Sequence, residues 1–220
     1  MADDQISKVD SRIEWFKNAV SITMRARFRA SHRLIRRHHV STYVISMLSL
    51  YVVALSLLPF VKELNDKQSQ LLNVCAVILS IFIIIVSLHE GSHNFFHKGN
   101  LLHDCGRKIG KIHSALRMIR DDDCNINEKI SDLHEKYHLI IEQCQENHTD
   151  ADYLYVVATK RYLFPDRYTG NKFNDSLLSL FRIVSVFSKE YLWVLPSLLS
   201  FTGVTWIIFF YIFYPPIPHQ

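Results

Sequence analysis

Residues that interrupt helices are scarce in this sequence. Its 220 residues include only six glycines and six prolines, and no segment is repetitive or rich in serine and proline. A fold of short strands and tight turns needs many more such residues. The composition therefore predicts an all-α protein built from long helices.

Ionisable residues are absent from three long apolar segments. These run from about Val40 to Val61, from about Leu71 to Leu88, and from Tyr191 to Tyr214. Without Asp, Glu, Lys, Arg or His in them, a proton relay or a charge-coupled transporter has no carriers. A helix of about 20 apolar residues crosses a bilayer core of about 30 Å. Because only residues 62–70 separate the first two segments, these should form an antiparallel transmembrane hairpin, and the third is a C-terminal span.

Arginines without any accompanying acid precede the first apolar segment. Because Lys and Arg favour the cytoplasmic side, the N-terminus and residues 89–190 should be cytoplasmic and the C-terminal tail external. About 40 residues without an A-x-A-like site come before the first segment, so we expect it to stay in the mature protein. Anionic lipid headgroups explain the cluster without a further partner, which disfavours direct nucleic-acid binding. The candidate lipid contacts are Arg25, Arg27, Arg29, Arg33, Arg36 and Arg37.

These patterns divide the chain into five segments. Residues 1–39 form a basic amphipathic helix, and residues 40–88 form the transmembrane hairpin. A cytoplasmic helical region follows at 89–165, and a loop with an interfacial helix at 166–190. Residues 191–220 contain the third transmembrane helix and a short external tail. From about Asn174, apolar residues at helical spacing predict a helix that lies against the membrane surface.

Two helices of the 89–165 region each carry a single apolar seam with heptad-like spacing. A lone helix cannot bury such a seam, so the two helices must fold back on each other or pack against a second subunit. We interpret the seam as a candidate oligomer interface. Its residues are Leu102, Ile109, Ile112, Leu116, Ile119, Ile130, Leu133, Tyr137 and Ile140.

The four cysteines form no C-x-x-C pair. In a hairpin centred near Cys124, Cys105 and Cys144 would fall at about the same level. Because this region is predicted to face a reducing compartment, we expect free thiols and interpret both side chains as small buried apolar groups.

The sequence His89-Glu90-Gly91-Ser92-His93 contains the H-E-x-x-H pattern of zinc metalloproteases. A catalytic zinc ion needs a third protein ligand. His97 cannot supply one from the same straight helix, because it would lie about 12 Å from His89. No Gly-rich phosphate loop and no nucleophile with its base accompany the pattern. We therefore expect no metal, no cofactor and no enzyme activity, and we interpret the pattern as the polar end of the second span.

Small polar residues follow one face of each hairpin helix. Such stripes pack helix against helix, and in an oligomer they can also line a pore. Both interpretations remain open from the sequence. The stripe residues are Thr42, Ser46, Ser49 and Ser56 on the first span, and Asn73, Ser80 and Ser87 on the second.

A basic helix, a tight transmembrane hairpin and heptad-like cytoplasmic helices follow one another over about residues 5 to 165. This order resembles the SLATT domain, a two-transmembrane effector module that associates with SMODS nucleotidyltransferases and SLOG sensors in bacterial defence. The stretch from Tyr137 to Tyr153, with its Glu-Asn-His and Asp-Tyr, resembles the subgroup that accompanies reverse transcriptases. Glu146, Asn147 and His148 are then candidate contacts for a partner or signal, although a helix end needs capping and turn residues of these types anyway.

The resemblance implies a multi-pass protein of the bacterial inner membrane. It would be an antiviral effector that oligomerises and forms a pore or depolarises the membrane when a partner detects a phage. The implied partner is a reverse transcriptase, a nucleotidyltransferase or a nucleotide sensor. One alternative is a membrane anchor that recruits a soluble enzyme. Another is a membrane-bound zinc protease that uses His89, Glu90 and His93.

Overall fold

The computed structural model describes residues 2–61, 64–119, 125–164 and 172–191, and a few isolated positions between 199 and 210. Within these residues every regular element is a helix, which confirms the all-α prediction. Most of the predicted third span, Cys124 and the C-terminal tail lie outside the described residues. One described residue of the third segment, Thr205, places its Oγ1 3.0 Å from the Tyr51 hydroxyl of the first span.

Six α-helices and one short 3-10 helix make up the described residues from 2 to 191. The longest is α1, whose 60 residues extend for about 90 Å. It runs without interruption from the N-terminal basic region into the first apolar segment. The helices are α1 (Ala2–Val61), α2 (Asp66–Ser92), α3 (Phe95–Met118), α4 (Ile126–Gln143), α5 (Asp150–Thr159), the 3-10 turn (Arg161–Leu163) and α6 (Lys172–Tyr191).

The chain divides into two compact units, and α1 contributes to both. The helical unit comprises Met1–Ile35 with Phe96–Ser188, and the hairpin unit comprises Arg36–Phe95 with Lys189–Gln220. Each unit is discontinuous in sequence, because α1 passes from one to the other and the chain returns to the hairpin unit only after Ser188.

The hairpin unit holds two helices that are long and apolar enough to cross a membrane. They meet along a small core of Leu55, Leu72 and Leu79. The second helix starts at a capping box, in which the Asn65 backbone N–H donates to Gln68 Oε1 at 3.1 Å. Most other large side chains of these helices are exposed in the single chain, among them Ile78. Such a surface requires lipid or protein around it.

The helical unit packs α3 and α4 against the first half of α1. Its core includes Phe16 and Val20 of α1, which pack with the apolar seam of α3. Every residue of the predicted oligomer seam except Leu102 belongs to this core or packs against it. Leu102, Ile109, Ile112 and Leu116 are buried, and Ile119, Ile130, Leu133, Tyr137 and Ile140 are partly buried. The helices fold back and pack this seam within one chain, and its role as an interface between copies stays a prediction.

Glycines of α3 let its backbone approach α1 closely. A Cβ atom on Gly99 would lie 2.7 Å from Ile35 Cγ1 and 3.3 Å from the Ser31 carbonyl oxygen. A Cβ atom on Gly106, seven residues later, would lie 3.1 Å from Cδ1 of Phe28. The two glycines thus occupy the same face of α3, where a Cβ atom would clash at Gly99 and would press on the Phe28 ring at Gly106.

Cys105 of α3 and Cys144, which follows α4, form a disulfide, with their Cα atoms 6.2 Å apart. The sequence placed them correctly at one level of the hairpin, but the expectation of two free thiols was wrong. Packing the two apolar seams brings these side chains together, since both lie in the core that the seams form. Cys75 of α2 is a free cysteine.

Candidate functional site

The loop between α4 and α5 carries the predicted contact residues Glu146, Asn147 and His148. A capping box ends this loop. The Thr149 backbone N–H donates to Asp152 Oδ2 at 3.0 Å, and the Thr149 hydroxyl donates to the same oxygen at 2.8 Å. Helix α5 therefore starts at a capping box formed by two residues three positions apart. In contrast, Asn125 precedes α4 without a side-chain cap hydrogen bond.

Asp152 is completely buried, with 0% of its surface exposed. Arg33 of α1 reaches its carboxylate in a bidentate arrangement, in which Nε donates to Oδ1 and Nη2 donates to Oδ2, both at 2.9 Å. Burial alone would raise the pKa of Asp152. The hydrogen bonds and charge of Arg33, together with the bonds from Thr149, outweigh burial and hold this pKa below its ordinary value. The carboxylate therefore stays ionised inside the helical unit.

A second arginine of α1 holds the loop at Glu146. Arg27 is buried, and its Nη1 donates to the Glu146 carbonyl oxygen at 2.6 Å. The Glu146 carboxylate lies 3.5 Å from Nζ of Lys98 on α3. Main chain and side chain of Glu146 are thus bound to two different helices, which fixes the loop against both.

His148 lies half-buried in the same loop. Burial lowers its pKa, the nearby charge of Arg27 lowers it further, and Asp152 and Asp150 only partly oppose these effects. The imidazole is therefore neutral at pH 7. Its Nδ1 is buried and has no hydrogen-bond partner within the described part of the chain. Asn147 is exposed, and its Oδ1 accepts a hydrogen bond from the His148 backbone N–H at 2.9 Å.

The predicted lipid contacts divide into different environments. Arg27 and Arg33 bind the loop and α5, and the Arg29 guanidinium lies 4.0 Å above the Tyr155 ring. Nε of Arg25 donates to the Ser21 hydroxyl at 3.3 Å. Arg36 is exposed, and Arg37 pairs with Glu90. Sequence reasoning missed the roles of Arg27 and Arg33 inside the protein; lipid binding by the cluster stays a prediction.

The H-E-x-x-H residues end α2. Glu90 forms an ion pair with Arg37 at 3.1 Å, and the Arg37 guanidinium lies 4.1 Å above the Phe95 ring. The rings of His89 and His93 contact each other, with centroids 4.8 Å apart. The described residues contain no cluster of three His, Cys, Asp or Glu side chains that could hold a metal ion.

The second helix does not continue straight past these histidines. It ends at Ser92, and Asn94 adopts a left-handed backbone conformation with φ of 49° before α3 begins. Asparagine tolerates this conformation better than most residues. The straight helix assumed in placing His97 was therefore wrong, although the turn brings no third ligand among the described residues.

The polar stripe of the first span is exposed along its length. Its four members, which we call the hydroxyl stripe, are Thr42, Ser46, Ser49 and Ser56. Each hydroxyl donates to a carbonyl of its own helix at 2.8 to 2.9 Å. On the second span Asn73 is exposed, whereas Ser80 and Ser87 are half-buried. The hydroxyl stripe therefore takes no part in holding the hairpin together.

A comparison with protein families decides the identity of this architecture. The model of the SMODS and SLOG-associating 2TM effector domain family 5 matches residues 9–215. The chain belongs to this SLATT family. No curated protein matches it, and no solved structure does.

As a SLATT domain, the chain is a membrane effector of antiviral defence systems. The match confirms the family suggested by the basic helix, the hairpin and the seams; the reverse-transcriptase subgroup stays a prediction. The matched range extends beyond α6 to include residues 191–214, so the third apolar segment belongs to this SLATT domain.

Proposed function

We propose that several copies of this SLATT domain form an ion-conducting pore in the bacterial inner membrane when a partner protein triggers them. The observation that carries the proposal is the exposed hydroxyl stripe on α1. The opposite side of the same helix packs on α2 through Leu55. The stripe is thus free to meet other copies or a lumen, while the hairpin remains intact.

The rest of the exposed face of this span is apolar. Leu50 and Leu57, which lie beside the stripe, are both more than half exposed, and lipid tails can cover them. Hydroxyl groups gain nothing from contact with lipid tails. Four of them at intervals of three, four and seven residues on one face therefore favour a contact with water or with small residues of another copy.

The 144–149 loop is the proposed receiver of the trigger. Asn147 is exposed, while the neighbouring Glu146 is bound to α1 and α3. A partner that binds Asn147 would therefore act on a loop that is already attached to α1, the helix that also carries the hydroxyl stripe.

The test is to replace Ser46 and Ser49 singly with leucine in the full chain, expressed with its genomic neighbours. We expect each variant to insert and assemble like the wild type but to lose depolarisation of the cell after phage infection. Ala54→Leu is the matched control. Ala54 is exposed on the same helix and lies about 80° to 140° around it from the two serines, so it should keep the activity.

Membrane potential and oligomer size are measured on the same samples. Depolarisation that persists in correctly assembled Ser46→Leu and Ser49→Leu variants would exclude the stripe as the lumen. A wild type that never depolarises infected cells would instead favour the anchor that recruits a soluble enzyme.

A further inference from the structure

Helix α6 (Lys172–Tyr191) directs polar residues inward and apolar residues outward. Asp175 and Ser179, one turn apart, are 6% and 3% exposed, and the Ser179 hydroxyl donates to the Asp175 carbonyl oxygen at 2.8 Å. A surface helix of a soluble protein has the opposite arrangement, with its apolar stripe toward the core. Exposing the outer face of α6 to water is therefore unfavourable.

The outer face is continuous and large. Leu177, Leu180, Phe181 and Val184 lie within about 100° of one another around the helix, on the side away from Asp175. They are 59%, 58%, 72% and 57% exposed. This arc, which we call the α6 outer face, contains no acidic residue.

We propose that the α6 outer face inserts into the boundary between the headgroups and acyl chains of the bilayer. The chain leads from α6 directly into residues 191–214, which are long and apolar enough to cross a membrane and contain no ionisable residue. From Lys189 onward it belongs to the hairpin unit, the unit with the two candidate membrane helices. The C-terminal end of α6 is thus joined directly to a segment that can cross the bilayer.

Residue types at this end fit the same location. Lys189, Tyr191 and Trp193 follow one another closely, and lysine and aromatic residues are enriched where membrane meets water. An amphipathic helix with such neighbours binds a membrane surface through its buried apolar area. The proposal goes beyond pore formation and holds whether or not the hydroxyl stripe lines a lumen.

The test places a photo-crosslinking amino acid, p-benzoylphenylalanine, at Phe181 of the full chain in native membranes. An aromatic residue replaces an exposed aromatic residue there, so the fold should be kept. We expect the main product to carry the added mass of a phospholipid. Leu139 of α4 is the control, because it is also a large apolar residue, 48% exposed, with other exposed residues beside it.

Lipid adducts at Phe181 should exceed those at Leu139 about fivefold if the face lies in the bilayer. A product with the mass of two chains would show that a second copy covers the face and would overturn the proposal. So would a cross-link to another protein, or a lipid yield equal to that at Leu139. If the Phe181 variant does not accumulate, the same probe at Val184 applies the same criteria.

Discussion

Arg33 of α1 and Asp152 of α5 form a bidentate ion pair across 119 residues of sequence. The carboxylate is buried and also receives both donors of Thr149. These contacts place the start of α5 against α1 and keep a negative charge inside the helical unit.

Asp152→Asn should lower the free energy of unfolding by about 3 kcal/mol, because it leaves the Arg33 charge without its partner. Unfolding of the detergent-solubilised chain in denaturant, followed by circular dichroism, measures the change. Asp132→Asn is the matched control, since it breaks the exposed pair with Lys136 and should cost less than about 1 kcal/mol. Equal effects of the two substitutions would refute a structural role for the buried pair.

The stability of the helical unit should decrease as pH falls from about 7 toward 5. Because the folded state lowers the pKa of His148 below 6.5, the unfolded chain binds this proton first. The stability that neutral His148 contributes is fully present above the pKa of His148 in the unfolded chain. It is lost as pH falls toward the lower pKa of His148 in the folded chain. A second loss of stability begins near pH 4, where Asp152 is protonated in the unfolded chain before it is protonated in the folded chain.

Thermal unfolding between pH 8 and pH 5 tests the contribution of the histidine. His148→Gln should reduce the slope in this range, because glutamine does not titrate, while His113, whose pKa is also lowered by burial and by Arg117 and Arg25, keeps part of it. His97→Gln, at an exposed position of α3, should keep the slope of the wild type. An unchanged slope in His148→Gln would assign the pH dependence to other groups.

Gly99→Ala should destabilise the helical unit by about 1 to 3 kcal/mol, because its Cβ would press on Ile35 and on the Ser31 carbonyl. Gly91→Ala is the control. Nothing lies within 4 Å of its added Cβ, so the higher helix propensity of alanine should leave stability equal or raise it by up to about 1 kcal/mol. Unfolding in denaturant measures the stability of both variants. If Gly99→Ala leaves the free energy of unfolding unchanged, α3 can move away from α1.

Cys144→Ser should lower the free energy of unfolding by about 2 to 4 kcal/mol under oxidising conditions, because the disulfide closes a long loop in the unfolded chain. In excess dithiothreitol the variant and the wild type should unfold alike. A difference that remains in the reductant would show that packing of the sulfur, rather than the covalent bond, supplies the stability.

Local patterns in the sequence were sufficient for the helices but not for their partners. The absence of Asp, Glu, Lys, Arg and His from Val40 to Val61 indicates a helix that could cross a membrane, and Thr149 and Asp152 have the spacing of a capping box at a helix start. The seam of Ile109 has the same spacing whether it meets α1 or a second copy. Nothing local indicated that Arg33 binds an acid 119 residues away, because an arginine that precedes a span looks the same when it contacts lipid.

Cys105 and Cys144 also show that local patterns do not reveal which residues of different helices meet. Heptad spacing placed them at one level, but the bond depends on the distance between helices, which the packing of α3 and α4 determines. The exposure of the α6 outer face likewise depends on which side of the helix the rest of the unit covers. Periodicity gives the two faces of a helix without saying which one is buried.

The hydroxyl protons of Thr42, Ser46, Ser49 and Ser56 are all donated to carbonyls of their own helix. What these side chains turn outward is therefore the lone pairs of their oxygens. A lumen bordered by such oxygens offers partial negative charge to a dehydrating ion and no N–H or O–H to an anion. Potassium and sodium should pass through it and chloride should be excluded, so the reversal potential of the open state should follow the gradient of the cation.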